Sequence, residues 1–192
     1  MPQPNKAALD FLRTRRSRPA KTLISPVPTR AELEPLLEAA LRVPDHGKLE
    51  PWRLIVLESA ALTRLGKLAQ ERGTAMGLDP EKITKGHNQF ANAELAVAVI
   101  ETPVISEKVP DIEQSYSAGC VCLQLVNAAL ATGWGANWLS GWASHDRSFV
   151  ENGLDLAPHE RVAGFIHIGT EKTAPPERPR PNMETKITWQ SA

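Results

Sequence analysis

Residues 41–58 read LRVPDHGKLEPWRLIVLE, and three kinds of structure follow one another in them. Leu41 ends a helical pattern. Pro44 and Pro51 bracket a stiff polar loop, and Trp52 to Leu57, apolar except Arg53, form a strand. So apolar a strand predicts cover on both of its faces. Arg42, Asp45 and His46 then stand on a rigid loop above a buried strand, a good place to hold a ligand. The plain alternative is a helix-to-strand connection whose polar residues face water.

Upstream, Thr29 and Glu32 make a T-x-x-E capping box. Leu33, Leu36, Leu37, Ala40 and Leu41 follow at helical spacing, with a bend expected at Pro35. Nearer the start, Asn5 caps a short helix carrying Ala8, Leu9, Phe11 and Leu12. That helix runs into RTRRSRP, residues 13–19. Arginine forks bind phosphate in a bidentate way and Ser17 adds a donor, so the cluster reads as an anion site. A solvated basic cluster and a nucleic-acid contact through Arg13–Arg18 are the alternatives.

Downstream, Ser59 is placed to cap a helix with Leu62, Leu65 and Leu68 inward, weakened at its far end by Gly73 and Gly77. Asp79-Pro80 reads as a fresh helix start. The polar region 73–92 reads as a mobile flap or short helices over a site, or as a surface excursion. Leu95 to Ile100 is a second buried strand. From Pro110 to Gly133 runs a long helix, apolar or small nearly all round from Ala118 to Ala131. Such a helix packs between a sheet and either another helix or a second subunit. GWGANWLSGW, residues 133–142, reads as a short strand with Trp134, Trp138 and Trp142 on one face. Asp146 caps a short helix ending at Gly153, and Val162 to Ile168 is a further strand with His167 packed or hydrogen-bonded inside. From Thr170 the chain is proline-rich and extended, and Lys186 to Gln190 alternates as an edge strand that could join a partner's sheet.

With 192 residues and 42% hydrophobic content, the sequence supports one domain, residues 1–192, with residues 170–192 as a C-terminal arm. Lys plus Arg and Asp plus Glu are 22 each, so no general pull toward nucleic acid or membrane follows. No signal-peptide core or membrane-length apolar run is present, which predicts a cytoplasmic protein. Cys120 and Cys122 lack a CxxC spacing and are expected as free core thiols. His46, His87, His145, His159 and His167 show no metal spacing, and no nucleophile elbow, P-loop or dinucleotide glycine motif appears. An enzyme with none of these needs a cofactor to carry the chemistry.

Four segments, RRSRP (15–19), VPDHGKLEPWRLIV (43–56), SAGCVCLQLVNAALATGWGANW (117–138) and the strand ending in IGT (168–170), together resemble the FMN-dependent nitroreductase family, in particular its small bacterial YdjA-like branch. The resemblance implies an α+β fold, a central and mostly antiparallel sheet flanked by helices, in an intertwined homodimer with one FMN per subunit at the interface. It implies that Arg15, Arg16 and Ser17 grip the ribityl phosphate and the ring edge. Arg42 and His46, in the loop with Pro44 and Asp45, are contributed by the other subunit. Asn137, Trp138, Leu139, Ser140 and Gly141 lie along the flavin, and Arg178 or Arg180, with Arg180 preferred, reaches its phosphate. Ala128, Ala129, Leu130, Ala131, Thr132 and Gly133 match a segment associated with the nicotinamide cofactor. Where the commoner pattern has P-S-x-x-N-x-Q-P-W, this chain has PDHGKLEPW, with Asp45, His46 and Glu50 as departures. The implied activity moves hydride from NADH or NADPH through FMN to a nitro, quinone or similar acceptor by a ping-pong route, with no essential protein acid or base. A non-catalytic flavin-binding protein of the same fold is the alternative.

Overall fold

The computed structural model describes residues 3–191. Asn5 caps α1 (Lys6–Thr14), its side chain accepting from the Ala8 N–H. A two-residue strand, β1 (Leu23–Ile24), precedes α2 (Arg30–Ala40), where both halves of the Thr29–Glu32 capping box are made. Pro35 lies within α2, which continues through it. β2 (Trp52–Glu58), α3 (Ser59–Ala75), α4 (Pro80–Ala91) and β3 (Leu95–Glu101) follow. Then come α5 (Asp111–Ala131), β4 (Gly135–Leu139), α6 (Trp142–His145), α7 (Arg147–Leu154) and β5 (Arg161–Glu171).

All strand pairs are antiparallel. β5 is the hub: β3 pairs along one side, β4 along the other, and β1 pairs with its last two residues, Thr170 and Glu171. β2 pairs with β3 alone and ends the sheet. The alternation of β3 splits the core in two. Ala96, Ala98 and Ile100 face α3, α4, α6 and α7, together with Leu62, Leu65, Phe90 and Phe149. Leu95, Val97 and Val99 face α2 and α5, together with Leu36, Val121 and Leu125. The result is an α+β fold, an open antiparallel sheet with helices on both faces.

Several expectations are corrected. β2 is an edge strand: Ile55 and Leu57 pack on one cluster and Trp52 and Leu54 on the other, so both faces are partly covered, but only Leu57 is buried, since among the described residues no strand pairs with its outer edge. Glu58, not Ser59, is the N-cap of α3. Residues 73–92 take the helical form that one reading gave them: α3 runs through Gly73, and α4 packs closely on it with one face on an open cleft. Ile83 lies over Gly73 and the Trp142 indole over Gly86, so these glycines allow close helix contact where local propensity suggested weakness. Trp142 lies in α6, so the three tryptophans do not share a strand face. Lys186 to Gln190 forms no strand. A 3₁₀ turn at Met183–Thr185 leads into irregular chain that pairs with no strand among the described residues, and Trp189 is 89% exposed.

Both cysteines are free, and burial pushes the Cys122 thiol up to about 12. No helix among the described residues is long and apolar enough to cross a membrane.

Candidate flavin and phosphate site

The segment after α1 is stitched to the outer side of β4. The Arg18 N–H donates to the Ala136 carbonyl at 2.8 Å, and the Asn137 side chain donates to the Arg18 carbonyl at 2.7 Å. Pro19 stops α1 from continuing, so residues 15–18 run extended beside the sheet, with all four side chains half-buried. Arg15 donates to the Ser17 hydroxyl at 2.8 Å. The Nε atoms of Arg15 and Arg16 are buried without partners. Burial first, and then the positive charge of Arg180, lower the Arg15 pKa. Two guanidiniums thus sit close together with no acid on Arg15, a costly arrangement that an anion would relieve. The nearest carboxylate is the exposed Glu177, which pairs with Arg180 at 3.3 Å and also feels Arg16. Arg18 is committed elsewhere, to Glu171 at 3.4 Å. Between the two C-terminal candidates, Arg180 is the one beside Arg15. The cradle suits a phosphate.

An open cleft of about 840 Å³ is bounded by Ala20 and Lys21, which follow the arginine segment in the chain, by the end of β4 at Leu139 and Ser140, and by α4; none of Arg15, Arg16, Ser17 and Arg180 lines it. Glu81, Lys85, Asn88, Gln89 and Asn92 give it one helical face, and His167 of β5 closes its inner end. Asn137 and Leu139 lie opposite His167 and Phe165 in the sheet, on the face that carries α4. Trp138 points the other way. Its ring lies over Gly164 and near Gly119 of α5, and its Nε1 donates to the Ala163 carbonyl at 3.3 Å. A side chain at Gly164 would occupy the space of the indole. Gly141 links β4 to α6 and lies beside the Gln89 side chain.

The loop of Arg42, Pro44, Asp45 and His46 lies elsewhere. It follows α2, on the opposite face and at the opposite edge: β2 and β4 are three strand spacings apart, roughly 14 Å. The Asp45 carboxylate accepts from the Leu49 and Glu50 N–H groups at 3.2 and 2.9 Å, bracing the loop. Ser117 donates to the Pro44 carbonyl at 2.8 Å and accepts from Trp52 Nε1 at 3.0 Å. His46 Nδ1 lies 2.6 Å from Glu113, and both side chains are exposed. The loop holds positive φ at Gly47, Lys48 and Glu50, a strained backbone kept in place by these bonds. Arg42 is exposed.

Ala128 to Gly133 are the last turn of α5 and its left-handed cap. Ala129 is buried, the Thr132 hydroxyl donates to the carbonyls of Ala128 and Ala129, and Leu130 faces the core. Only Ala131, Thr132 and Gly133 are exposed, at the end of β4 away from the cleft.

The sequence reading missed Lys21, Lys85, Gln89, Glu113 and His167 as members of these two places. The spacing of Glu81, Lys85, Asn88 and Asn92 on one helical face is the signal that was available for the cleft.

The family model described as "Nitroreductase family" matches residues 12–170. The chain belongs to the nitroreductase family. It is 34% identical over 163 residues to the Escherichia coli (strain K12) protein named "Putative NAD(P)H nitroreductase YdjA", spanning 85% of this chain and 87% of that one. Among solved structures, a nitroreductase-like family protein from Bacillus cereus superposes with a TM-score of 0.79 at 22% identity over the full length of both chains. A nitroreductase from Desulfovibrio desulfuricans, solved in complex with FMN, has a TM-score of 0.74 at 18% identity, covering 99% of this chain and 100% of that one. These likenesses agree with the antiparallel sheet and its flanking helices.

Proposed function

We propose that the protein is an FMN-dependent NAD(P)H oxidoreductase that reduces a nitro, quinone or similar small acceptor. The observation that carries this reading is the group of Arg15, Arg16 and Arg180, in which the Nε atoms of Arg15 and Arg16 are buried without partners, on the segment that leads through Ala20 and Lys21 into the wall of the cleft. In this reading the cradle holds the FMN phosphate, with Ser17 oriented by Arg15. Leu139 and Ser140 form the wall along the ring, with Asn137 and Gly141 flanking them; Trp138, whose indole lies on the other face of the sheet, offers the cleft only backbone groups. Lys21 and Lys85 on the cleft rim supply the positive charge that favours an electron-rich, reduced ring. Bound FMN supplies the two-electron chemistry, accepting hydride from NADH or NADPH and giving it to the acceptor. The chain's own part is to anchor, orient and polarise. The names of the relatives, one for NAD(P)H and one for FMN, point the same way. Of the segment Ala128–Gly133 only Ala131–Gly133 is exposed, at the end of β4 away from the cleft, so within one protomer it does not reach a donor bound there.

The site needs a second copy. Arg42 and His46 sit on the far edge and the other face from the cleft, and a two-fold partner brings its own loop across the seam. Apolar surface fits that seam: no residue of α1 is buried, Leu9 and Leu12 are more than half exposed, and α5 shows Ile112, Tyr116 and Leu123 to solvent. The arm at Ile187 and Trp189 is assigned to the same partner. The working protein is therefore a cytoplasmic homodimer. Donor and acceptor use one cleft in turn, which predicts ping-pong kinetics.

The deciding experiment is the visible spectrum of the purified protein, followed by NAD(P)H oxidation with a nitroaromatic or a quinone. A yellow dimer that oxidises NAD(P)H only when acceptor is present supports the proposal. A yellow dimer with no turnover favours a flavin carrier, and a colourless protein with salt-steep nucleic-acid binding favours the arginine cluster as a nucleic-acid contact.

A further inference from the structure

His46 and Glu113 are 67 positions apart, yet Nδ1 of the imidazole lies 2.6 Å from Oε2 of the carboxylate. Both sides of this contact are anchored. Glu113 stands in the first turn of α5, and its neighbour Gln114, 1% exposed, fixes that turn. Gln114 Oε1 accepts from the Val104 N–H at 2.8 Å, and its Nε2 donates to the Val104 carbonyl at 2.9 Å. One turn further along, Ser117 donates to the Pro44 carbonyl and so ties α5 to the loop of His46. Val109, buried just before α5, lies next to Gly47, whose positive φ turns the chain straight after His46.

An exposed ion pair adds little to stability. Both of these side chains are open to solvent, so stability does not explain a strained loop braced by Asp45, Ser117 and Trp52. What the arrangement fixes is the state of one ring. A carboxylate only accepts, so Nδ1 is the donor, and neutral His46 keeps its lone pair on Nε2. Nε2 bonds to nothing among the described residues and faces outward from the pair. The other ion pairs among the described residues use Arg or Lys, which keep their protons at neutral pH. Here the cation is an imidazole, the side chain suited to exchanging a proton.

On the flavin and two-copy reading above, we infer that Glu113 is a positioning residue for His46, and that His46 Nε2 donates the proton that an acceptor at the partner's cleft needs on reduction. A quinone that has taken up a hydride, supplied by the reduced flavin, carries a negative oxygen. That oxygen takes the Nε2 proton of the imidazolium: an N–H bond breaks, an O–H bond forms, and His46 returns to its neutral Nδ1–H form. Quinone, hydride and one proton sum to hydroquinone, and water restores the proton on Nε2. Glu113 offsets the imidazolium charge in between and touches no substrate.

Two measurements test the pair, one without flavin and one with it. In flavin-free full-length protein carrying nitrogen-15 histidine, neutral His46 should hold its proton on Nδ1, its signal being the one absent from His46→Asn. In Glu113→Ala it should change to the Nε2–H form that a free imidazole prefers, and Glu113→Gln, which keeps an accepting oxygen, should lie between. With FMN bound, turnover of menadione is compared with that of ferricyanide, which takes electrons without a proton. Glu113→Ala should lower the menadione-to-ferricyanide ratio of kcat about 10-fold, a part of the roughly 10²–10⁴-fold that a positioned acid contributes, with the KM for menadione unmoved. Glu113→Gln should recover part of that loss. A wild-type His46 with its proton on Nε2 would overturn the positioning. A ratio that stays at its wild-type value in Glu113→Ala, while ferricyanide is still reduced, would overturn the proton donor and leave the flavin reading standing. A wild-type protein that binds no FMN and reduces neither acceptor would overturn both.

Discussion

Replacing Arg15 and Arg16 together with alanine removes two guanidiniums whose Nε atoms are buried without partners. A hydrogen bond to a charged group contributes about 1.5–3 kcal/mol, so two lost anchors weaken phosphate binding by about 3–6 kcal/mol. That range is roughly 10²- to 10⁴-fold in Kd. Both side chains are half-buried, not enclosed, and screening by solvent moves the expectation to the lower end, near 10²-fold. Stability should respond in the opposite direction. In the flavin-free protein Arg15 sits beside Arg180, and both burial and that like charge work against its protonated form. Removing it relieves repulsion, so the flavin-free double variant should melt at or slightly above the wild-type temperature. Quenching of FMN fluorescence gives the Kd, and calorimetry of the flavin-free protein gives the melting temperature. An unchanged Kd, or a melting temperature that falls in step with affinity, would refute the reasoning, because the arginines would then be structural.

Glu160 accepts from Arg53 Nε and Nη2 at 2.6 and 2.8 Å and from the Ala157 N–H at 2.9 Å, and the hydrogen bonds from Arg53 hold its carboxyl at about 2. The folded value lies below the ordinary 4.5, so this stabilisation is whole above about pH 4.5 and is lost as pH falls toward 2. Urea midpoints between pH 2.5 and 6 should decline less steeply in Glu160→Gln than in the wild type, and parallel curves would contradict the assignment. Gly86→Ala places a methyl 2.7 Å from the Trp142 Nε1, a clash that should cost about 1–3 kcal/mol. Thermal melting reads that cost, and an unchanged melting temperature would show that α4 gives way freely. Tyr116→Glu with Leu123→Glu puts two charges on the exposed face of α5 and should yield monomers by light scattering, with flavin lost although the arginines are intact. Monomers that keep FMN at full occupancy would show that one chain suffices to hold it.

The parts of the fold that were readable from the sequence are those whose burial is uniform or strictly periodic. β3 is buried along its whole length and α5 carries small and apolar residues on nearly every side, so no partner information was needed to place them. β1 could not be read, because Leu23 and Ile24 are too few to show a period and exist as a strand only through Thr170 and Glu171. Lys186 to Gln190 has the alternation of a strand but no neighbour in its own chain, so pattern alone misled. Gly73, near the far end of α3, was read as a weak point. Packing overrides that penalty, since Ile83 and Trp142 lie where side chains would otherwise stand. In the site, the arginine cluster was legible because four arginines around one serine are unusual in a neutral chain. The cleft was not, because the polar face of α4 has the same composition as any solvated helix. His167 looked like an ordinary core residue until its missing partner was visible.

The braced loop and the arginine cradle make sense only together. Lys48 and Glu50 hold φ of 55° and 48°, and a non-glycine residue in that region costs on the order of 1 kcal/mol or more. Asp45, Ser117 and Trp52 spend three side chains keeping the backbone there, yet what the loop presents, Arg42 and His46, is left exposed. Within one protomer that strain serves nothing, since the cleft lies across the sheet and on its other face. The cradle has the complementary defect: half-buried arginines whose Nε atoms lack partners, with only the exposed Glu177 near Arg180 and Arg16 as counter-charge. The proposed two-fold dimer would resolve both at once: it would cover the apolar faces of α1 and α5, bring each loop to its partner's cleft, and leave a phosphate-bearing ring as the group that satisfies the arginines. On that proposal, the strained loop on one edge and the arginines on the other are two halves of a single binding site, divided between copies of the chain.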